Sequence, residues 1–333
     1  MAVTIRDVAR ATGVHVSTVS RTFSAPNLVS TPTRERVMAV AAELGYRPNR
    51  AARALTTGRT HNLGLIVSDI ANPFFPPLIK AAQAYARERE YHVFVADTDE
   101  DPQAEEELIR TLAKQVDGVV LVAPRLTNQA IERLGLELPF VVVNRRVKGL
   151  SAVLMDIGHG TELAVEHLAG LGHRRLALLS GPRGSWSSEQ MKRAAAVAAE
   201  RADLRLTVIG PNAPTERGGI AAATAVRDSG VTAVIAYNDL VAIGLIEGLG
   251  ELGTEVPADM SVVGVDDTVA GRLNRPKLTT IVMPTPAAGR TAVDLLLQAV
   301  DEDGRTAAQA TLATDLVVRE STAAAPGAAD TGA

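Results

Sequence analysis

The sequence predicts a small all-α head followed by a two-lobed α/β body of doubly wound parallel sheets. Residues 4–23 show helical spacing of apolar side chains on both sides of a break at Gly13. From residue 63 onward, short apolar runs alternate with amphipathic segments, the pattern of buried strands covered by helices. Two similar segments, residues 116–124 and 231–239, occupy equivalent places in the two halves of the body, which predicts two similar lobes.

The first two predicted helices have the spacing of a helix-turn-helix. Thr4 is placed to cap the first helix, and Asp7 follows three residues later, as in a variant of the capping box. Small and polar side chains begin the second helix, which suits a helix that lies in the major groove of DNA. An ordinary helical hairpin packed on a larger core has the same spacing, so spacing alone leaves both interpretations open.

A third helix completes the predicted head, residues 1–47. Thr31 and Pro32 are the expected cap and first residue of this helix, and Gly45 is its expected end. Its predicted buried side chains are Val37, Val40 and Leu44.

Residues 48–60 are interpreted as a hinge or linker between head and body. Pro48 breaks the chain before a short basic segment that contains helix-forming Ala and Leu residues. The segment is too short to form a stable helix alone in water, so we expect a linker that folds when it binds.

Charge divides the chain into two unlike parts. Residues 1–60 contain nine arginines, no lysine and three acidic residues, a net charge of +6. The whole chain carries −4, which leaves −10 for residues 61–333. This asymmetry indicates a small module that binds a polyanion, attached to an acidic body. Phosphate contacts from such a module supply affinity that weakens steeply with salt.

The predicted body spans residues 61–322. Its eight predicted strands follow the apolar runs at residues 63–69, 91–97, 117–124, 139–144, 174–181, 204–210, 232–239 and 260–267. In doubly wound folds, ligands bind beyond the carboxyl ends of the strands, here in a cleft between the lobes. Residues 323–333 lack core-forming side chains and are expected to be disordered.

Composition argues against several classes of protein. The chain has no cysteine, and its six histidines include no metal-ligand spacing, so we expect no metal and no cofactor. The N-terminus lacks the apolar run of a secretory signal, and no run reaches membrane-spanning length. A cytoplasmic, nucleoid-associated protein with no membrane contact is therefore expected.

Two other functions are alternatives to DNA binding. A transport-type binding protein shares the two-lobed body but needs a signal peptide and no DNA-reading head. An enzyme acting on sugars or nucleosides needs a phosphate loop or a nucleophile with a base, and the sequence shows neither. Residues 248–253 formally match GxGxxG, but they end a predicted helix instead of opening one, so they predict no dinucleotide site.

The chain resembles the LacI/GalR family of bacterial transcriptional regulators over residues 3–322. The motifs that carry the resemblance are TIRDVARATGVHVSTVSR, TRERV…LGYRPNRAARAL, LAVEHLAGLGHRRLALLSG, AYNDLVAIGLIEGL and SVVGVDDT…RPKLTTI. The resemblance implies a periplasmic-binding-protein-like body. Lobe 1 would comprise about residues 61–157 and 285–311, and lobe 2 about residues 158–281 and 312–322.

The resemblance also assigns roles in DNA binding. Val16 and Ser17 would open the recognition helix, and an arginine fork such as that of Arg21 matches the two acceptors of guanine. Leu55 would be the apolar wedge that enters the minor groove at the operator centre. The family usually has Ser at the position of His15. The DNA-binding residues implied are Thr4, Val16, Ser17, Thr18, Ser20, Arg21, Asn27, Thr31, Asn49, Arg50, Arg53 and Leu55.

A ligand site in the cleft follows from the same resemblance. It predicts apolar side chains after the first strand of the body and polar groups at later strand ends, a combination that suits sugar-like ligands. Asp239 and Asp266 could each serve instead as a helix cap. The ligand-binding residues implied are Phe74, Phe75, Arg125, Arg145, Asp156, Trp186, Met191, Asn238, Asp239 and Asp266.

Two departures from the family bear on the ligand. Many sugar-sensing members have Arg where this chain has Met191, and Gly where it has Ala194. Loss of the arginine removes a bidentate anchor, so a nucleoside, a modified sugar or no small ligand stand as alternatives to a common hexose. The chain end lacks the leucine-rich helix of tetrameric members, which predicts a homodimer on a pseudo-palindromic operator. The expected function is a regulator of transcription, a repressor controlled by a small carbohydrate-like effector.

Overall fold

The computed structural model describes residues 3–46, 59–301 and 307–326. The chain divides into two compact units, Met1–Thr60 and His61–Ala333. The described helices of the head are α1 (Ile5–Thr12), α2 (Val16–Ser24) and α3 (Thr31–Glu43), with a 3-10 turn at Pro26–Leu28. The helix-turn-helix pattern is thereby confirmed. The predicted hinge from residue 48 to 58 lies outside the described residues.

Local sequence signals set the ends of the head helices. The Asp7 carboxylate accepts hydrogen bonds from the backbone N–H of Thr4 at 2.9 Å and from its hydroxyl at 2.7 Å. Gly45 has φ +67°, and the N–H of Tyr46 donates to the Ala41 carbonyl at 2.8 Å, the bond of a Schellman motif. The predicted cap at Thr4 and the predicted end of α3 at Gly45 are therefore confirmed. The prediction that Thr31 caps α3 is wrong, because Ser30 is the cap and Thr31 is already the first helical residue.

The three helices enclose one small core. Val8, Val19 and Val37 are each 0% exposed at its centre. Val40 is half-buried, whereas Leu44 is 38% exposed, so the prediction that Leu44 is buried is wrong. Leu44 lies after the last helical residue, where the chain already turns into the Gly45 cap and no longer follows the buried stripe of α3.

The first half of the body alternates strands and helices. Its elements are β1 (Asn62–Val67), α4 (Phe75–Arg87), β2 (His92–Asp97), α5 (Pro102–Leu112), β3 (Gly118–Val122), α6 (Asn128–Leu134), β4 (Phe140–Val143), β5 (Ser151–Met155) and α7 (Ile157–Gly170). The strands β1, β3, β4 and β5 are almost continuously apolar and buried, as expected of strands covered on both faces.

The second half continues the same alternation. Its elements are β6 (Arg175–Leu179), α8 (Trp186–Arg201), β7 (Arg205–Ile209), α9 (Glu216–Asp228), β8 (Ala233–Ile235), α10 (Asp239–Glu251), β9 (Ser261–Val265), α11 (Val269–Leu273), β10 (Thr279–Val282), α12 (Thr285–Asp301), β11 (Gln309–Leu312) and β12 (Asp315–Val317). All eight predicted strands are present. Residues 248–253 lie at the end of α10 and in the turn after it, as predicted.

The described strands of the body form two six-stranded sheets, and we call the sheet with its covering helices a lobe. Lobe 1 has the order β11-β5-β4-β3-β1-β2, and lobe 2 the order β12-β10-β9-β8-β6-β7. The pairings are parallel except for β12 against β10. The chain passes between the sheets three times: after β5, after β10 and between β11 and β12.

The C-terminal segment corrects one expectation. Residues 323–326 were predicted to be disordered, but they are bound along lobe 2. The N–H of Ala323 donates to the Ser261 hydroxyl at 3.0 Å, and that of Ala325 donates to the Leu171 carbonyl at 2.8 Å. The prediction failed because backbone hydrogen bonds to buried polar groups hold this segment, and these do not depend on large apolar side chains. Residues 327–333 lie outside the described residues.

Within the described residues, no helix is both long and apolar enough to cross a bilayer. No group of three or more His, Cys, Asp or Glu side chains in those same ranges is arranged to hold a metal ion.

Candidate functional site

The second helix of the head presents a polar face to solvent. Ser17 and Arg21 lie one turn apart on this face, and both are exposed. Val19 and Thr22 lie on the opposite face and are 0% and 4% exposed. A buried face that fixes the helix and a polar face that is free to contact a ligand are the arrangement expected of a recognition helix.

His15 caps this helix in place of the serine that is usual in the family. Its Nδ1 accepts the backbone N–H of Ser17 at 3.3 Å and lies 2.8 Å from the Ser17 hydroxyl. The ring therefore satisfies a backbone donor that the helix itself leaves without a partner. The departure from serine changes the capping group but keeps the cap.

The other predicted DNA-binding residues of the head divide by exposure. Thr4, Asn27 and Thr31 are exposed, whereas Thr18 and Ser20 are half-buried. Val16 is half-buried and packs against the core of the head. The predicted residues that lie outside the described residues are Asn49, Arg50, Arg53 and Leu55.

A cavity lies between the two lobes, at the carboxyl ends of strands from both sheets. We call it the cleft. Topology explains its position, because the loops that follow parallel strands all emerge at the same sheet edge. The structure brings six predicted ligand residues to its lining: Phe74, Phe75, Arg125, Met191, Asn238 and Asp266.

An ion pair occupies the lobe 1 side of the cleft. The guanidinium of Arg125 is bonded side-on to the Glu100 carboxylate, with Nη2 2.8 Å from Oε1. Its Nη1 also donates to the Ala123 carbonyl at 2.6 Å. The side chain of Arg125 is only 7% exposed, so the pair is held in a setting where charge-assisted hydrogen bonds are strong. A ligand in the cleft therefore meets a donor and an acceptor of opposite charge.

Neutral polar groups complete this side. The Ser68 hydroxyl is buried and has no hydrogen-bond partner within the described part of the chain. Asn144 accepts the backbone N–H of Met155 through Oδ1 at 3.1 Å, and the residue lines the cleft. A buried hydroxyl without a partner is rare in folded proteins, and here it borders the cavity in which a ligand or water would satisfy it.

Two acidic residues of lobe 2 have different environments. Asp239 is 0% exposed and lies outside the cleft lining, and its oxygens accept from Thr268 and Thr280. Burial raises the pKa of Asp239 to about 6. Asp266 lines the cleft, and burial, followed by the nearby Asp239, raises its pKa well above the ordinary value. Asn238, between the lobes, caps α10 by accepting the N–H of Val241 at 2.8 Å.

Four predicted ligand residues are not brought to the cleft. Asp239 anchors two threonines, as described above. Arg145 donates through Nε to the Asn128 side chain at 2.8 Å and through Nη1 to the Pro124 carbonyl at 3.1 Å. Asp156 caps α7, and Trp186 begins α8; both line a separate groove at the surface. In each case a neighbouring position in the sequence lines the cleft: Asn144, Ile157, Ser187 and Asn238.

Sequence reasoning missed several lining residues. Tyr237 directly precedes Asn238, and its hydroxyl lies 3.0 Å from the Ser185 hydroxyl. Its place after a predicted strand could have identified it. Ser68 and Asn72 follow β1 in the same way, so the same signal was available for them. Glu100 stands in an acidic run after β2, and nothing in the sequence separates it from its neighbours.

A helix-turn-helix head and a two-lobed body with a polar cleft define a class: DNA-binding regulators that carry a ligand-binding domain. Residues 4–49 match the family described as bacterial regulatory proteins, lacI family, and residues 165–322 match the periplasmic binding protein-like domain. The chain belongs to the lacI family. It is a DNA-binding transcriptional regulator and not an enzyme.

Individual relatives agree with this assignment. The HTH-type transcriptional regulator GalS of Salmonella typhimurium is 32% identical over 304 residues, which cover 89% of each chain. A structure of the Lac repressor dimer bound to operator and the anti-inducer ONPF matches with a TM-score of 0.86 and 30% identity, over 97% of this chain and 100% of that one. A lacI-family regulator from Enterococcus faecalis with bound ribose matches with a TM-score of 0.71 and 28% identity, over 79% and 99%.

Proposed function

We propose that this protein is a homodimeric repressor that binds a pseudo-palindromic operator and acts at the bacterial nucleoid in the cytoplasm. The observation that carries the proposal is the exposed polar face of α2, with Ser17 and Arg21 one turn apart above a fully buried Val19. A recognition helix reads base edges through such a face. The basic head adds phosphate contacts that hold the register without reading sequence. The similarity to an operator-bound repressor dimer supports the same function.

The cleft is proposed to bind a sugar-like effector that controls operator affinity. Ser68, Asn144 and Asp266 offer hydrogen-bonding groups to hydroxyls, and the rings of Phe74 and Phe75 provide an apolar wall. The Arg125–Glu100 pair would bond adjacent hydroxyls. Ribose bound to a family relative supports a sugar, and a nucleoside is the second candidate, because its ribose offers the same hydroxyls.

The DNA-binding proposal is tested by selection from random duplexes. The full chain should enrich duplexes with two inverted half-sites, since a twofold dimer reads the same sequence twice. Arg21→Ala should weaken binding to a selected duplex by about 1–3 kcal/mol if its guanidinium reads a base. Binding to unselected duplexes should change far less. Fluorescence anisotropy on both DNAs measures the two losses.

Arg36→Ala is the matched control, because Arg36 is an exposed arginine of the same head on α3. It removes one positive charge without altering α2, so it should affect both DNAs about equally. Selection of asymmetric sites, or equal losses for Arg21→Ala on both DNAs, would contradict the proposal.

The effector proposal is tested in the same assay. A panel of sugars and nucleosides should include a compound that changes operator affinity. Identical operator affinities with every compound would contradict control by an effector.

A further inference from the structure

A second cavity lies on the surface where the chain leaves β5 for α7. We call it the crossover groove; it has a volume of about 480 Å³. Lobe 1 contributes Arg146 and Thr311 to its wall, and α8 of lobe 2 contributes Trp186, Gln190 and Arg193. Asp156, at the crossing itself, completes it. The groove is distinct from the cleft, although α8 borders both.

The two faces of α8 separate the two cavities. Ser187 and Met191, one turn apart, line the cleft. Trp186, Gln190 and Arg193 also recur at helical spacing, and they line the crossover groove. A ligand in the groove therefore contacts different α8 side chains from a ligand in the cleft, although Ile157 lines both cavities.

Two arginines line the groove. Arg146 and Arg193 are exposed and come from opposite lobes. Among residues 3–46, 59–301 and 307–326, neither guanidinium has an ion-pair or hydrogen-bond partner. Asp156 uses Oδ1 to accept the N–H of His159 at 3.1 Å, which caps α7. One backbone donor of this helix terminus is thus satisfied, and the two arginines supply the positive charge of the groove.

We propose that the crossover groove binds a phosphomonoester carried on a hydroxylated ring, as found in sugar phosphates and nucleotides. Arg146 and Arg193 would hold the phosphate, since planar guanidinium groups match its oxygens. The half-buried indole of Trp186 would pack against the ring. Asp156 and Gln190 would bond the ring hydroxyls. The second oxygen of Asp156 is an acceptor, which favours a ligand with hydroxyls over a bare anion.

The position of the groove gives such a ligand a regulatory effect. Phosphate held by Arg146 of lobe 1 and Arg193 of lobe 2 would tie the two lobes together at their crossing. Any ligand that binds one relative position of the lobes more tightly shifts the population toward it. The groove would thus add a second input to the effector cleft. This inference does not rest on the function proposed for the cleft, since binding in the groove is measured without DNA.

The chain offers a direct reporter, because Trp186 is its only tryptophan. D-ribose 5-phosphate and AMP should each change the indole emission of the full chain in a saturable way that depends on Arg146 and Arg193, whereas any response to D-ribose should be the same in the parent and in the variant without these arginines. The double variant Arg146→Ala/Arg193→Ala should weaken binding about tenfold or more, because two charge-assisted contacts are lost. Binding of D-ribose 5-phosphate against AMP then distinguishes the two sources of the phosphomonoester.

Two controls complete the experiment. Arg87→Ala/Arg217→Ala removes one exposed arginine from each lobe, neither of which lines the groove, and should leave binding unchanged. Ser68→Ala alters the cleft without breaking a hydrogen bond to the groove and should also leave binding unchanged. The proposal is overturned if no phosphorylated probe changes the emission up to millimolar concentration, or if Ser68→Ala abolishes the response while the double variant retains it. Equal affinity for inorganic phosphate would also overturn it, because the ring would then contribute nothing.

Discussion

At the scale of single residues, Asp239 shows how one carboxylate can be assigned three roles. The sequence left it as a ligand contact or a helix cap, since it follows a predicted strand and begins a helix. The structure gives a third role: its oxygens accept from the Thr268 N–H at 2.7 Å, the Thr268 hydroxyl at 2.9 Å and the Thr280 hydroxyl at 2.6 Å. Asp239 thus connects α11 and β10 to the start of α10. Sequence position could not reveal this, because the two threonines are distant in the chain.

The raised pKa of Asp239 predicts a dependence of stability on pH. Its pKa is raised from 3.8 to about 6, mainly by burial, so between those values the folded chain binds the proton more tightly than the unfolded chain does. Its contribution to the free energy of unfolding therefore falls as the pH rises from about 4 to 6. In Asp239→Asn this contribution should be missing. Urea denaturation across that pH range measures the difference between the two proteins.

Asp228→Asn is the control for this comparison. Asp228 pairs with Arg227 at 3.0 Å, and both side chains are largely exposed, so its change of charge should leave the slope of stability against pH close to that of the parent. Parallel curves for Asp239→Asn and the parent would show that the carboxylate titrates alike in the folded and unfolded states, and the pKa argument would fail.

At the scale of elements, the close contact between α9 and α10 depends on glycines. A Cβ on Gly244 of α10 would meet the backbone carbonyl of Glu216 at the start of α9, and one on Gly219 would meet the carbonyl of Val241. Backbone atoms cannot move aside as a flexible side chain does. The two helices can therefore approach this closely only with glycine at these positions, which keeps β8 and its neighbours covered.

Two substitutions on the same helix test this packing. Gly244→Ala should lower the free energy of unfolding by about 1–3 kcal/mol or more, because the helices must separate to admit the methyl group. Gly250→Ala is the matched control, because a Cβ at Gly250 would meet nothing within 4 Å. It should raise stability by up to about 1 kcal/mol through helix propensity. Similar urea midpoints for both variants would show that the contact does not limit the packing.

The strands of the body show which elements could be predicted from the sequence. Eight strands were found because each is a continuous apolar run bounded by polar or turn residues. Four others were missed: β5, β10, β11 and β12. The last two have four and three residues and are only partly buried, so their pattern does not stand out. β10 is rich in threonine, and β5 is a run of only five residues that is followed almost at once by α7.

At the scale of the whole molecule, topology explains how far the site could be predicted. The cleft residues that were found all follow strands or begin α8, because a doubly wound fold places these positions at one sheet edge. The predicted residues that miss the cleft lie one position from a lining residue, such as Asp156 beside Ile157 and Trp186 beside Ser187. Neighbouring residues in a loop or first helical turn point in different directions, and the sequence does not record which one faces the cavity.

The size of the cleft implies that the two lobes move. The cavity has a volume of only about 50 Å³, whereas small-molecule pockets measure about 300–1,000 Å³. A sugar cannot enter or leave without widening it. The Thr314 hydroxyl donates to the Asp156 carbonyl at 2.6 Å, and the N–H of Asp156 donates to the Leu312 carbonyl at 2.9 Å. These bonds hold the crossing segments together. Widening must then occur by rotation about the crossings.

Rotation about the crossings would separate groups that meet across the lobes, such as Arg145 and the Gly184 carbonyl, whose atoms lie 3.5 Å apart. Spin labels on Gln129→Cys in lobe 1 and Arg183→Cys in lobe 2 flank this contact, and the cysteine-free chain supplies no other thiol. The labelled protein is diluted with unlabelled chain. Without sugar, it should contain a population in which the two labels lie farther apart than in the described structure. A sugar that raises the melting temperature should deplete that population, because a ligand shifts the chain toward the state it binds. One distribution, unchanged by a bound sugar, would mean that the lobes are rigid and that the effector enters by another route.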